Sequence, residues 1–211
     1  MVKVKFCGIK RMEDAWDAAR LGVHALGFVF VKNSPRYISP DDAQKIISQL
    51  PPFIVRVGVF SNQNENEISE VLNICQLDAL QFHGEESPQF CKLFASKKRL
   101  IKAFRVKDEN FLDQIPQYDF VDAILLDSYH PDLKGGTGST FNWELAKKAR
   151  EFGIPVILSG GLNPDNVKQA IAEVNPYAVD VSSGIEQAPG VKDHELMAKF
   201  IACVWEEEWG Y

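Results

Sequence analysis

Several features are missing from this chain, and each absence narrows what it can be. No stretch reaches the roughly 18 consecutive apolar residues that a membrane-crossing helix needs, so no membrane partner is expected. The opening Met-Val-Lys-Val-Lys-Phe-Cys is strand-like and lacks the apolar core of a secretion signal. The four cysteines, Cys7, Cys75, Cys91 and Cys203, show no C-x-x-C spacing. They read as free thiols in a reducing cytoplasm, not as a disulfide frame or a zinc site. An excess of basic residues is also missing. The net charge of -6 argues against nucleic acid, whose phosphates need clustered Lys and Arg. A small anionic substrate stays possible, because a few local donors outweigh a weak global field. No linker, low-complexity stretch or charge block divides the chain. With 211 residues, 45% of them hydrophobic and 25% charged, it suits one soluble domain spanning residues 1–211.

What is present is a rhythm. Strand-like runs fall at residues 2–7, 24–30, 53–60, 77–83, 99–105, 120–127, 154–159 and 177–182, several of them apolar on both faces as buried parallel strands are. Helical patterns fall between them, at 12–22, 40–50, 64–75, 86–96, 109–115, 142–152, 163–173 and 192–205. Ser39-Pro40 marks one helix start with an N-cap and a Pro at the first position, and Asn163-Pro164 marks another. A doubly wound open sheet fits this alternation. The count of eight, with glycine-rich turns after strands seven and eight, favours an α/β fold of the (β/α)8 TIM-barrel type. In such a barrel all strand ends face one mouth, so Cys7 and Asp127 can share one pocket.

Side chains alternate across a strand. Val4 and Phe6 should therefore face the helices, and Lys5 and Cys7 the barrel interior. A thiol acts as a base only as thiolate, and the Lys5 cation is placed to favour that form. The plain alternative is that Cys7 is a small buried hydrophobe. Asp127 closes the apolar strand Ala123-Ile124-Leu125-Leu126. A carboxyl desolvated there suits a general acid, and one that caps a turn looks the same in sequence. The turns at Ser159-Gly160-Gly161 and Ser182-Ser183-Gly184 leave backbone N–H groups open to an anion, and a helix start after each would add its dipole. Asp180, facing inward, suits either a substrate hydroxyl or a buried pairing with Lys5. Arg36, stiffened by Pro35, can fork a carboxylate or lie solvated. His83 can stack on a flat ligand over the mouth or serve structure. The loop 128–140, with Lys134-Gly135-Gly136-Thr137-Gly138, is long enough for a lid.

In their order and spacing, Lys5-Phe6-Cys7-Gly8-Ile9-Lys10, Ser34-Pro35-Arg36-Tyr37, Leu80-Gln81-Phe82-His83-Gly84, Leu126-Asp127, Gly135-Gly136-Thr137-Gly138, Leu158-Ser159-Gly160-Gly161-Leu162 and Asp180-Val181-Ser182-Ser183-Gly184-Ile185-Glu186 resemble the phosphoribosylanthranilate isomerases of tryptophan biosynthesis. The likeness covers nearly the whole chain. Phe6 and Lys10 depart from the usual aliphatic and small polar residues, away from the inferred chemistry. The resemblance implies an Amadori rearrangement of N-(5'-phosphoribosyl)anthranilate without metal or organic cofactor. It implies Cys7 as base, Asp127 as acid, and Arg36 on the anthranilate carboxylate. Gly160, Gly161, Ser183 and Gly184 would hold the phosphate, with His83 and Asp180 lining the pocket. It implies a cytoplasmic enzyme, monomer or homodimer, whose partner is the phosphorylated sugar–anthranilate substrate.

Three rivals compete. An isomerase for the related histidine-pathway substrate would carry a carboxylate where Cys7 stands. A binding protein that kept the barrel would have lost one of the acid–base pair. An aldolase would need a Schiff-base lysine at an inner strand end, whereas Lys5 lies a layer too deep and Lys102 is mid-strand.

Overall fold

The computed structural model describes residues 1–128 and 143–209. Eight parallel strands close into a barrel in chain order: β1 (Lys3–Cys7), β2 (Ala25–Val29), β3 (Val55–Phe60), β4 (Ala79–Phe82), β5 (Arg99–Val106), β6 (Ala123–Ser128), β7 (Val156–Ser159) and β8 (Ala178–Val181). β8 returns to β1 in register, pairing Lys5 with Asp180. Among the described residues seven α-helices accompany them: α1 (Met12–Arg20), α2 (Pro40–Ile47), α3 (Glu65–Ile74), α4 (Pro88–Ala95), α5 (Trp143–Arg150), α6 (Val167–Val174) and α7 (His194–Trp209).

Strand alternation sorts the side chains into two cores. Inside the barrel, Val57, Ala79, Ile101, Ala103, Ala123, Leu125, Ile157 and Ala178 form a compact cluster of small and branched residues. Their modest size suits the narrow interior of an eight-stranded barrel. Outside, the alternate residues are large. Phe6, Phe28, Phe60 and Phe82 are almost fully buried between strands and helices. Burying each such ring contributes roughly 2–3 kcal/mol. Phe82 packs against Phe94 and Phe90 of α4 with ring centres 5.7 and 6.0 Å apart.

Helix starts follow local chemistry. Ser39 Oγ accepts from Asp42 N at 3.2 Å, with Pro40 opening α2. Asn64 and Glu67 form a reciprocal capping box on α3. Two expectations need correcting. The segment expected as a helix over 109–115 is a 3₁₀ helix, Glu109–Tyr118, with Pro116 inside it. Proline has no N–H to give an α-helical ladder, and its ring crowds the preceding turn. The Asn163-Pro164 signal caps one isolated turn, where Asn163 Oδ1 accepts from Asp165 N at 2.8 Å, and α6 starts only at Val167. A short hairpin, β9 (Glu186–Ala188) with β10 (Val191–Lys192), was not expected at all.

Candidate active site

The ends of the strands surround a cavity of about 580 Å³. Cys7, Arg36, His83, Asp127, Gly160, Gly161, Asp180 and Ser183 all line it. Residues 120 positions apart in sequence thus meet because inward parity at a strand end delivers each to the same mouth. Gly184 is not part of the lining. It stands behind, where a Cβ would collide with the Leu162 carbonyl. That close approach lets the turn after β8 rest directly on the turn after β7.

Cys7 ends β1 opposite Gly27 of β2. A Cβ at Gly27 would lie 2.8 Å from the Cys7 sulfur and 3.2 Å from Lys5 Nζ, so the bare glycine is what makes room for both. Beneath them, Lys5 Nζ donates to Asp180 Oδ1 at 2.7 Å, with both side chains about 95% buried (4% and 5% exposed). Ser159 Oγ donates to the other Asp180 oxygen at 3.1 Å. Asp180 is therefore engaged as the partner of Lys5 while its side chain still borders the cavity. Burial pushes the Cys7 thiol above its ordinary value, and the Lys5 ammonium, which pulls it down, does not overcome that. Lys5 thus acts on the thiol in the expected direction, but desolvation outweighs the single neighbouring cation.

Asp127 ends β6 on the other side. His83 Nε2 lies 3.0 Å from Asp127 Oδ2, and Gln81 Nε2 lies 2.9 Å from His83 Nδ1. With the Gln81 amide nitrogen donating to Nδ1, the imidazole proton sits on Nε2 and points at the carboxylate. His83 is thereby bonded edge-on to Asp127, in addition to bordering the space where a flat ligand would lie. The Asp127 side chain is 30% exposed, far more open than the Lys5–Asp180 pair.

Arg36 Nε and Nη2 donate to the two Glu186 oxygens at 2.9 and 2.6 Å. At the wall between β7 and β8, Gly160 and Gly161 take positive φ of 81° and 69°, which favours glycine. Asn166 Nδ2 donates to the Gly161 carbonyl at 2.9 Å and ties the turn down. No α-helix starts directly after β8. A three-residue 3₁₀ turn, Ser183–Ile185, stands there instead, so the aligned dipole expected at that loop is reduced to one turn of donors. The Lys134–Gly138 segment expected as a lid lies outside the described residues. The described residues hold no cluster of three or more His, Cys, Asp or Glu suited to a metal ion.

Three contributors escaped the sequence reading. Arg105 faces the cavity from the end of β5, in register with Asp127. The alternation Ile101, Ala103, Arg105 was enough to find it. Glu186 and Lys192 enter through the hairpin, which has no periodic signal to betray it.

Comparison with known proteins agrees with this geometry. Residues 4–203 match the family model described as N-(5'phosphoribosyl)anthranilate (PRA) isomerase. An N-(5'-phosphoribosyl)anthranilate isomerase of Geobacter metallireducens is 52% identical over 95% of this chain and 98% of its own. The crystal structure of a phosphoribosyl anthranilate isomerase from Thermotoga maritima is similar over the full length of both chains, with a TM-score of 0.90 and 45% identity. A phosphoribosyl anthranilate isomerase crystallised with reduced 1-(o-carboxyphenylamino)-1-deoxyribulose 5-phosphate superposes with a TM-score of 0.87 at 43% identity, again over all of both chains.

Proposed function

This chain belongs to the N-(5'-phosphoribosyl)anthranilate isomerase family, and from that premise we propose how its residues divide the reaction. The protein is an isomerase that carries out the Amadori rearrangement of N-(5'-phosphoribosyl)anthranilate to 1-(2-carboxyphenylamino)-1-deoxyribulose 5-phosphate, a step of tryptophan biosynthesis. The observation that supports the division of labour is that Cys7 and Asp127, from β1 and β6, border one cavity whose third wall is the pair of glycine turns after β7 and β8.

The phosphate rests on the turns at Gly160, Gly161 and Ser183, with Gly184 supporting them from behind. The anthranilate carboxylate meets Arg36. Held at both ends, the sugar carbons C1 and C2 lie between acid and base, which removes much of the entropic cost of reaction. Asp127, protonated, gives its proton to the furanose ring oxygen. The C1–O bond breaks, and the nitrogen lone pair closes a C=N bond. The Nε2–H of His83 then stabilises the carboxylate left behind. Cys7, as thiolate, takes the proton from C2, and the released pair forms the C1–C2 double bond of an enolamine. Proton uptake at C1 and loss from the C2 hydroxyl give the ketone. No atom is gained or lost. Because burial raises the Cys7 thiol, the thiolate is scarce at rest but a strong base once formed. Asp180, bonded to Lys5 and Ser159, keeps the floor of the site in register and offers its cavity edge to a sugar hydroxyl.

The reading extends to one domain over residues 1–211, monomer or homodimer, in the cytoplasm. The free state of Cys7, Cys75, Cys91 and Cys203 fits a reducing compartment. No helix among the described residues is long and apolar enough to cross a membrane.

The test is to strip the purified protein with a chelator, add fresh N-(5'-phosphoribosyl)anthranilate and follow its fluorescence. Rapid loss of signal that is abolished in Cys7→Ala supports the base assignment. Turnover persisting in Cys7→Ala would remove Cys7 from that role.

A further inference from the structure

Arg36 is already gripped before any ligand arrives. Glu186 takes its Nε and Nη2 in a two-bond fork. Glu186 is 4% exposed and Arg36 24% exposed, so the carboxylate is the buried anchor and the guanidinium the exposed arm. A guanidinium has two edges that can each meet a carboxylate in its plane, one through Nε and one through the paired Nη atoms. Glu186 fills the first. The second has no hydrogen-bond partner among the described residues, and Arg36 helps to line the cavity.

Glu186 is in turn fixed from behind. Its Oε1 accepts from Lys192 Nζ at 3.0 Å and from Gly190 N at 3.3 Å. The Lys192 side chain is fully buried (0% exposed). The same ammonium donates to the Cys7 carbonyl at 2.6 Å and the Ser182 carbonyl at 3.0 Å. One lysine therefore pins the hairpin to the end of β1, which carries Cys7, and to the segment that follows β8. Charge points to the ligand. An isolated Arg–Glu pair is neutral and has little hold on an anion. Burial lowers the Lys192 ammonium, but its three acceptors take all three of its protons; the cluster then carries two positive charges and one negative, and a second carboxylate would balance it.

We propose that Glu186 is a positioning residue which turns the free edge of Arg36 toward the anthranilate carboxylate, with Lys192 fixing Glu186 relative to Cys7. This rests on the reading of Arg36 as the carboxylate site. It makes the β9–β10 hairpin a specificity device: it sets which aromatic amines the site accepts, while the sugar chemistry is done elsewhere.

The experiment measures kcat and KM for N-(5'-phosphoribosyl)anthranilate and for its carboxylate-free counterpart, N-(5'-phosphoribosyl)aniline. The quantity read is the preference, the ratio of the two kcat/KM values, in the unaltered protein, Arg36→Met and Glu186→Gln. An amide NH₂ facing the guanidinium replaces attraction with repulsion. Glu186→Gln should therefore lower the preference about tenfold, as expected for loss of a charge-assisted hydrogen bond, chiefly through KM for the anthranilate compound. If Arg36→Met leaves the preference intact, the carboxylate reading of Arg36 fails and the proposal falls with it. If Arg36→Met abolishes the preference and Glu186→Gln does not, Arg36 keeps its role and the proposal for Glu186 is overturned. Equal losses on both compounds in Glu186→Gln would assign Glu186 to the fold alone, and also overturn it. Should Glu186→Gln not fold, Glu186→Asp keeps the negative charge and shortens its reach to Arg36 by one methylene. It should show the same loss of preference, and a retained preference would count against the proposal.

Discussion

The two sides of the barrel mouth are built on different principles. On the β7–β8–β1 side, every charge near the site is buried and paired: Lys5 with Asp180 and Lys192 with Glu186, all 5% exposed or less. On the β4–β5–β6 side, His83 and Asp127 are 22% and 30% exposed, and Arg105 makes no ion pair among the described residues. The proposed base thus sits in a dry, closely packed wall and the proposed acid in a more open one. In the proposed mechanism two groups bordering one cavity take different tasks from their different surroundings. Desolvation raises the Cys7 thiol above its ordinary value, whereas the Asp127 side chain is open to solvent.

The sharpest way to break this contrast is to remove the reacting groups. Cys7→Ser and Asp127→Asn should each lower kcat by about 10²–10⁴-fold while leaving substrate binding nearly intact. Steady-state kinetics with an equilibrium titration of the product would check this, and a change confined to KM would contradict both assignments.

Lys5→Met attacks only the dry side. It strands Asp180 as a buried, unpaired carboxylate, and such a loss costs about 3–5 kcal/mol. A urea unfolding curve should show it. The comparable change on the wet side, Arg105→Ala, should move stability by less than about 0.5 kcal/mol.

pH dependence sharpens the comparison further. The proposed base acts as thiolate, and burial lifts the Cys7 thiol above its ordinary value of 9.0. The folded protein therefore holds this proton more tightly than a free thiol would. The profile of kcat/KM should still be climbing where a free thiol would have levelled off. In a Lys5 variant that still folds, the limb should move to higher pH, since the neighbouring cation that lowers the thiol is gone. A plateau already reached near neutrality would contradict the dry-base picture.

The smallest expected effect on catalysis is at Gly27. Gly27→Ala places a methyl carbon 2.8 Å from the Cys7 sulfur, and the thiol must tilt away. Misplacing a reacting atom by a fraction of an ångström should cost kcat roughly tenfold with little change in KM. The carboxylate side of the substrate should not notice.

How much of this was legible beforehand follows from what kind of force sets each part. Strand parity is local, so the inward positions of Lys5, Cys7, Asp127 and Asp180 could be read directly from alternation, and the eight-fold rhythm carried the barrel with them. Arg105 obeys the same rule and could have been read the same way. Pro116 warned that the segment after β5 would not be a regular helix. The hairpin is different. Its strands are three and two residues long, too short for any periodicity, and its stability comes from Lys192 meeting groups far away in the chain. For the same reason the fork between Arg36 and Glu186 could not be inferred, since 150 residues separate the two. The balance of desolvation against the Lys5 charge at Cys7 was also out of reach, because it depends on how completely water is expelled.

The bond from Lys192 to the Cys7 carbonyl joins residues 185 positions apart, and that from Lys5 to Asp180 joins residues 175 apart. During synthesis the first strand emerges from the ribosome long before either partner exists. Its lysine and thiol must wait, exposed or held by transient neighbours, until almost the whole chain has followed. Closing loops of that length is slow compared with local helix formation, so catalytic competence arrives late and all at once. A truncated or stalled chain would own the proposed base and acid and still lack the assembled site.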